Sequence, residues 1–447
     1  MAEPALEAEV VALGRRLAAG GGRSPRRAVE ERATALALRD PAVRAALFRT
    51  VDVAPACATP AELAAHLGGF LGAVERPGAA VRLARRAATR AGPTQTLAGR
   101  LAGAAVHALA GRFIVGATPE RATGALGRLW RDGCASSVDL LGEATVTRAE
   151  GAAYAARCER ALATLARAAA DWPPRPLLEV DGLGPLPRVN LSVKVTALTP
   201  LVRPHAPARG RDDAAARLRG LLRRARELGA HLHVDMESLD ARELVLDTIL
   251  ELLAEPEFAG GPSAGVVVQA YLVDAEETVA RLLEWTRATA RAQPLTVRLV
   301  KGAYWDHETI EAAQHGWPPP VWTEKAESDR CFERLARTLI AARADGLALR
   351  PAIGSRNLRS VAHAVVHARR AGLGAADLEL QVLRGLGDEL ARALAREGLR
   401  PRVYAPVGDL LAGMAYLVRR LLENSSNDSF LASRARGAEL DRLLGAP

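Results

Sequence analysis

The segment Thr296-Val-Arg-Leu-Val-Lys-Gly-Ala-Tyr-Trp305 joins a run of branched residues to two cations, a glycine and two aromatics. A strand of this texture is covered on both faces, so Arg298 and Lys301 must be paired, solvated or bound to a ligand. Lysine is a rare choice in this chain, occurring only at Lys194, Lys301 and Lys325 among 60 lysines and arginines. Two of the three lie in strand-like segments, which points to positions where a compact ammonium does what a guanidinium fork cannot. A second pair of cations, Arg419 and Arg420, sits in the amphipathic stretch Tyr416-Leu-Val-Arg-Arg-Leu-Leu-Glu-Asn-Ser425. Adjacent guanidiniums make a fork for a carboxylate or phosphate. A surface ion-pair set with Glu423 is the bland alternative, and the position just after the last strand candidate favours the fork.

Other spacings are weaker. His231-x-His233 puts two imidazoles on one strand face, as a shared metal ion requires. Later strand ends offer Arg298, Ser355 and Arg356 rather than further ligands, so hydrogen-bonded interior histidines are the preferred reading and no metal is expected. His363 and His367 are helix-spaced without the glutamate of a zinc-protease motif. Gly182-Leu-Gly184, Gly372-Leu-Gly374 and Gly385-Leu-Gly387 each lack the third glycine of a dinucleotide fingerprint, so a Rossmann domain is not supported. The first two read as turns, whereas Gly385 directly follows a strand with a polar face.

These groups must be positioned by a scaffold. Residues 1–130 are Ala/Leu/Arg-rich at helical period, with apolar positions recurring in Val10–Leu17, Ala42–Val51 and Ala61–Leu71. After Cys134, eight short strand candidates alternate with helix-length connections: Ser137–Leu141, Val189–Leu198, His231–Glu237, Val266–Tyr271, Leu295–Ala303, Leu349–Gly354, Leu378–Leu383 and Arg402–Val407. That alternation is the signature of a (β/α)8 barrel. Strand parity puts Asn190, Ser192, Lys194 and Thr196 on one face, and likewise His231, His233, Asp235 and Glu237. Glu379, Gln381, Arg402 and Tyr404 follow the same rule, which predicts a polar interior suited to a polar ligand. The expected organisation is a helical arm over 1–130, the barrel over 131–435 and a tail over 436–447.

Composition narrows the class. The 447 residues are 49% hydrophobic and 25% charged, ordinary for a globular protein. Cys57, Cys134, Cys158 and Cys331 show no metal spacing and read as free thiols in a reducing compartment. No basic-then-apolar leader precedes the first helical run, and no run of about 18 apolar residues offers a membrane span. A cytoplasmic location is expected. The net charge of +9 is read as solvated helix faces, with arginines scattered among acids and no nucleic-acid partner.

Taken together, Leu191-Ser-Val-Lys-Val-Thr-Ala-Leu198, His233-Val-Asp-Met-Glu237, Val268-Gln-Ala-Tyr271, Val297–Trp305, Val403-Tyr-Ala-Pro-Val-Gly408 and Tyr416–Asn424 resemble proline dehydrogenase. The chain looks most like the N-terminal half of the bifunctional proline-utilization enzymes. Phe48-Arg-Thr-Val-Asp-Val-Ala-Pro55 and Ser137-Val-Asp-Leu-Leu-Gly-Glu-Ala144 resemble their arm and first-strand segments. The resemblance covers nearly the whole chain and implies a distorted (β/α)8 barrel, of TIM type, preceded by an all-helical arm. It implies FAD held without a Rossmann domain and oxidation of L-proline to Δ1-pyrroline-5-carboxylate. Electrons then pass to a membrane quinone, which brings peripheral contact with the inner membrane.

Roles follow from the matching motifs. Lys194, Arg419 and Arg420 would grip the proline carboxylate, with Leu383, Tyr304 and Tyr404 packing the pyrrolidine ring. Asp235 would pair with an arginine of the fork and Arg298 would sit at the flavin N5 edge, the two forming the catalytic set. Met236, Gln269, Lys301, Gly302, Ala303, Trp305, Ser355, Arg356 and Asn357 would hold the remainder of the FAD. Glu143 would gate the site through Arg419. No residue stands out as a base for the proline amine. Arg356 and Arg384 replace residues more usual in the family. No aldehyde dehydrogenase half is expected to follow Leu444-Gly-Ala-Pro447 and no DNA-binding segment to precede the arm, which allows a separate pyrroline-5-carboxylate dehydrogenase as partner. Two rivals remain: an aldolase-like barrel using Lys194 or Lys301 as a Schiff base, and a non-catalytic basic scaffold.

Overall fold

The computed structural model describes residues 4–20, 40–142, 145–203, 205–409, 413, 416 and 440–447. The helical segment comprises α1 (Pro4–Gly20), α2 (Pro41–Val53), α3 (Pro60–Gly72), α4 (Ala79–Thr89), α5 (Pro93–Phe113) and α6 (Pro119–Arg131). Their starts are chemically marked. Asp40 and Thr59 accept backbone N–H bonds as N-caps, and proline opens the first turn of both helices, where its missing N–H costs nothing.

Eight parallel strands then close into a barrel: β1 (Ala135–Leu140), β2 (Asn190–Val193), β3 (His231–Val234), β4 (Ser263–Gln269), β5 (Leu295–Val300), β6 (Leu349–Gly354), β7 (Glu379–Leu383) and β8 (Arg400–Val407). Each strand pairs with its sequence neighbour and β1 pairs with β8, Ser137 lying opposite Tyr404. The outer helices are α7 (Arg148–Ala170), α8 (Pro207–Glu227), α9 (Leu239–Ala254), α10 (Ala275–Ala288), α11 (Trp305–His315), α12 (Lys325–Ala344), α13 (Leu358–Arg370) and α14 (Asp388–Arg396). All eight strand candidates are present, Leu349–Gly354 with the same bounds and the others shifted, lengthened or shortened by a few residues. One shortening matters: β2 stops at Val193 and Val195–Leu198 winds into a single helical turn, so Thr196 leaves the strand face. Likewise β3 stops at Val234, and Glu237 accepts a hydrogen bond from the Thr196 hydroxyl outside the strands.

Outward-facing Leu191, Val193, Leu232, Val234, Val297, Leu299, Val403 and Ala405 are buried against the helices. The barrel interior is polar, as parity requires. Ser137 donates to Asn190 at 2.7 Å and lies 3.1 Å from Ser192. His231 Nδ1 meets Ser263 Oγ at 2.8 Å and its Nε2 meets His233 Nδ1 at 3.1 Å, so the two histidines are hydrogen-bonded in the interior. Near the N-terminal ends of the strands, Glu379 accepts from Gln381 at 2.6 Å and pairs with Arg402 at 2.8 Å. A short hairpin over 180–185, not anticipated from sequence, places Asp181 against Arg350 at 2.7 Å and closes that end.

Helix α1 belongs to the barrel wall. Its Leu6, Val10, Leu13 and Leu17 join the main core, and Glu7 pairs with Arg359 of α13, which is also held by Glu333 of α12 at 2.8 Å. A last helix, α15 (Leu440–Leu444), lies against α1: Arg15 donates to Asp441 at 2.8 Å, and a Cβ on Gly14 would meet Leu444 at 2.5 Å. Helices α2 and α5 form a second small core of Val51, Val106, Ala110 and Phe113, with Leu386 and Tyr416 packed on it, while Ala122 and Leu126 of α6 join the main core. No described helix is long and apolar enough to cross a membrane, and all four cysteines are free.

Candidate active site

The C-terminal mouth of the barrel gathers one residue from each of several strand ends. Asp235, just past β3, is the hub. Arg298 of β5 donates to its Oδ1 at 2.6 Å and Tyr404 of β8 donates to its Oδ2 at 2.6 Å. Lys194, just past β2, lies 3.8 Å from Asp235 Oδ2 and 2.6 Å from Asp139 Oδ1 of β1. Arg298 also donates to Ser192 at 3.1 Å and to Ser137 at 3.3 Å, and its guanidinium carbon lies 5.4 Å from the Tyr404 ring centre. The seryl layer therefore fixes the arginine from below, the carboxylate from the side. Burial, then Asp139 and Asp235, pushes the Tyr404 phenol well up, so the hydroxyl stays protonated and donates.

Asp235 thus pairs with Arg298 and Tyr404 among the described residues, whereas the expectation was an arginine of the fork. Arg419, Arg420 and Glu143 lie outside the described residues. Asp139 was missed as a site residue, although its parity with Ser137 on β1 is the signal that would have found it: both point inward, and Asp139 is buried. Leu383 and Tyr304 are half-buried at the ends of β7 and the β5 loop, beside the mouth.

The residues expected around a cofactor fall into two groups. After β4 and β5, Gln269 is buried and donates to Glu237 O at 3.1 Å, with Met236 buried nearby in sequence and Gly302 at φ 128°. A Cβ at Gly302 would sit 2.4 Å from the Tyr271 ring, so only glycine allows this turn. Trp305 donates to Trp322 O at 2.9 Å and is half exposed. After β6, Ser355 accepts from the Asn357 N–H at 3.1 Å, and the Asn357 side chain caps α13 through the N–H groups of Arg359 and Ser360. Arg356 and Ala303 flank these turns.

Lys301 takes a different course from Arg298. It pairs with Asp329 of α12, which Lys325 also reaches, and stands 5.6 Å from the Phe332 ring centre. Burial pulls the Lys301 ammonium down while Asp329 pulls it up, and the net direction is down. Burial raises the Asp329 carboxyl, but the two lysines outweigh it and hold it below the ordinary range. Gly385, singled out by its position, has a packing explanation: at φ 83° it passes beneath α5, where a Cβ would meet Phe113 at 2.7 Å. A recess of about 710 Å³ at the other end of the barrel, lined by Arg188, Gly229, Gly261 and Gln293, brings no reactive cluster together.

The arrangement balances two cations, Lys194 and Arg298, against two carboxylates, Asp139 and Asp235, beside a neutral phenol. Such a site suits a small zwitterion whose carboxylate seeks a cation and whose ring seeks an aromatic wall. The sequence pattern of the proline dehydrogenase family matches residues 122–433, and that of the proline utilization A N-terminal domain matches residues 7–113. The bifunctional protein PutA of Salmonella typhimurium is 31% identical over 351 residues, covering 77% of this chain and 25% of that protein. A proline dehydrogenase of Deinococcus radiodurans is 28% identical over 323 residues, covering 72% of this chain and 88% of its own. Among solved structures, proline utilization A from Bdellovibrio bacteriovorus, inactivated by N-propargylglycine, superposes with a TM-score of 0.86 at 34% identity, covering 99% of this chain and 44% of that one. The chain spans about a quarter of the length of the curated bifunctional relatives it matches. With its polar-lined barrel and helical arm, the chain belongs to the proline dehydrogenase family.

Proposed function

We propose that this chain oxidises L-proline to Δ1-pyrroline-5-carboxylate at the mouth of the 131–435 barrel, with FAD as cofactor and a membrane quinone as final acceptor. The supporting observation is the coupled set Lys194–Asp139, Asp235–Arg298 and Tyr404, assembled from five strand ends. Lys194 receives the substrate carboxylate, with Arg419 and Arg420 as the fork beside it. Tyr404, Tyr304 and Leu383 form the wall against the ring, and orientation of the reacting carbon is their main contribution. Asp235 holds Tyr404 and Arg298 in place at once, so one carboxylate sets both the wall and the cation.

FAD fits the flanking residues: Gln269 has a buried carboxamide oxygen without a partner, and the Gly302 turn excludes a side chain. When bound, FAD supplies the acceptor for the hydride leaving C5 of proline. Arg298 is the cation that offsets negative charge there, and Met236, Lys301, Ala303, Trp305, Ser355, Arg356 and Asn357 complete the binding set. Glu143 gates the site through Arg419. A separate pyrroline-5-carboxylate dehydrogenase takes the product onward, and the protein works in the cytoplasm at the face of the inner membrane.

The test is spectroscopic. Purified protein is titrated with FAD, then with proline under anaerobic conditions, and reoxidised with a soluble quinone analogue. Bleaching of a bound flavin by proline and recovery by quinone are expected. Proline-dependent NADH formation, or protein that binds no flavin, sinks the reading.

A further inference from the structure

The scattered-charge pattern has its longest break in the helical segment. Between Glu75 and Glu120 the sequence holds seven arginines (Arg76, Arg82, Arg85, Arg86, Arg90, Arg100 and Arg112) and no aspartate or glutamate. This stretch contains α4 and α5, and three of its leucines face outward: Leu83 is 70% exposed, Leu97 57% and Leu101 64%.

The packing explains why they point outward. Helices α4 and α5 both rest on α3. A Cβ on Gly68 of α3 would meet Thr89 and Ala88, and Gly99 of α5 sits so tightly on Pro60 that a Cβ there would overlap its carbonyl oxygen. Leu83 lies on the opposite side of α4 from Ala88, and Leu97 and Leu101 each lie two residues from Gly99, on the opposite side of α5. Ala104 and Ala108 continue the α5 stripe, while Arg82 and Arg86 share the outer side of α4 and Arg90 follows at its end, and all five are exposed. Gln95 donates to Ala88 O at 3.1 Å across the short turn joining the two helices, which ties the faces together.

We infer that this α4–α5 face is a docking surface for an anionic lipid bilayer. Arginines complement the headgroups and the leucines enter the headgroup–acyl boundary, the two components of interfacial binding. A nucleic acid would engage the arginines but leave three exposed leucines without a role. A second copy docking on the same face would set arginine against arginine. The inference rests on the quinone reading for its purpose, since a bilayer-borne acceptor is met at the membrane, and on this surface for its physical basis. The face is joined to the site as well: α5 ends at Phe113, seated on Gly385 beside Leu383, about 18 Å along the helix from Leu101.

The experiment is sedimentation of the FAD-loaded protein with vesicles of phosphatidylglycerol and phosphatidylcholine in equal parts, against vesicles of phosphatidylcholine alone. The protein pellets with the anionic vesicles and stays in solution with the neutral ones. Arg82→Glu, Arg86→Glu and Arg90→Glu together weaken partitioning roughly a hundredfold or more. Leu83→Ser, Leu97→Ser and Leu101→Ser together weaken it roughly tenfold or more. Both variants keep the proline:soluble-quinone activity. Failure of the wild type to pellet, binding indifferent to both variants, or equally tight binding of a DNA duplex overturns the inference. Loss of activity with soluble quinone in a wild-type protein that still binds vesicles would instead overturn the proposed reaction and leave the surface standing.

Discussion

Tyr404 and Arg298 hold the two oxygens of one carboxylate, that of Asp235, each at 2.6 Å, with the guanidinium lying over the phenol ring. Neither partner can be removed without leaving a buried polar group short of its bond. Tyr404→Phe is expected to cost about 1–3 kcal/mol of stability and to raise the proline KM. Asp235→Asn strips the countercharge from Arg298 and is expected to cost about 3–5 kcal/mol. Chemical denaturation measures both, and stabilities within error of wild type would remove Asp235 as the hub.

Lys194 and its partner separate binding from support. Lys194→Met, Arg419→Met and Arg420→Met should each raise the proline KM roughly ten- to a hundredfold with flavin content unchanged, the loss of one charge-assisted bond of about 1.5–3 kcal/mol. Asp139→Asn leaves the ammonium in place but frees its orientation, so a smaller rise in KM with a steeper pH profile is expected. Steady-state kinetics across pH decides, and an Asp139 variant identical to wild type would show that the pair is structural.

Lys301 and Asp329 give a pair of opposite expectations for the flavin midpoint potential. Lys301→Met should lower it, through loss of a cation near the proposed cofactor. Asp329→Asn should raise it, by leaving Lys301 and Lys325 without their shared carboxylate. A 30 mV change in a two-electron couple corresponds to about 1.4 kcal/mol, so modest coupling is measurable. Potentiometric titration that moves in neither variant would confine both lysines to holding α12 against the barrel.

Acid should destabilise the fold before the carboxylates titrate. Burial, then His367 and neighbouring arginines, depresses the His363 imidazole from 6.5 to about 2, and burial, then Arg402, depresses His231 to about 3. Both are neutral when folded, so below pH 6.5 the unfolded chain binds more protons. Stability is therefore full above about pH 6.5 and falls with acidification, by up to about 1.4 kcal/mol per pH unit for each histidine. Denaturation midpoints at pH 7 and pH 5.5 measure the slope. His363→Gln should flatten it by close to one proton, and an unchanged slope would refute the assignment.

Branched residues alternating with polar ones made all eight strands legible, and the same alternation exposed the polar interior in Asn190, Ser192, His231, His233, Glu379 and Gln381. It misled at Val195 and Thr196, whose strand-favouring side chains are overridden when the chain turns into a helix beside Glu237. Asp139 was hidden among leucines and valines whose motif was noticed while its one inward carboxylate was not. The rarity of lysine drew attention to Lys194, which lies beside Asp139 and Asp235. For Lys301 the decisive partner, Asp329, stands 28 residues away on a helix, and no local pattern encodes that meeting. The hairpin over 180–185 was equally invisible, since two-residue strands carry no periodicity.

The Glu7–Arg359 clamp makes the first helix inseparable from the barrel, although sequence order groups it with the arm. Leu6, Val10, Leu13 and Leu17 each bury a side chain worth roughly 1.5–3 kcal/mol in that contact. A chain shortened to begin at Asp40 would retain every catalytic candidate, yet leave Arg359 with Glu333 alone and bare the flank of Leu444. Modularity in this protein is thus discontinuous: the barrel carries its own distant helix, and the stretch between them is itself tied to the barrel where Phe113 meets Gly385 and where Ala122 and Leu126 enter the main core.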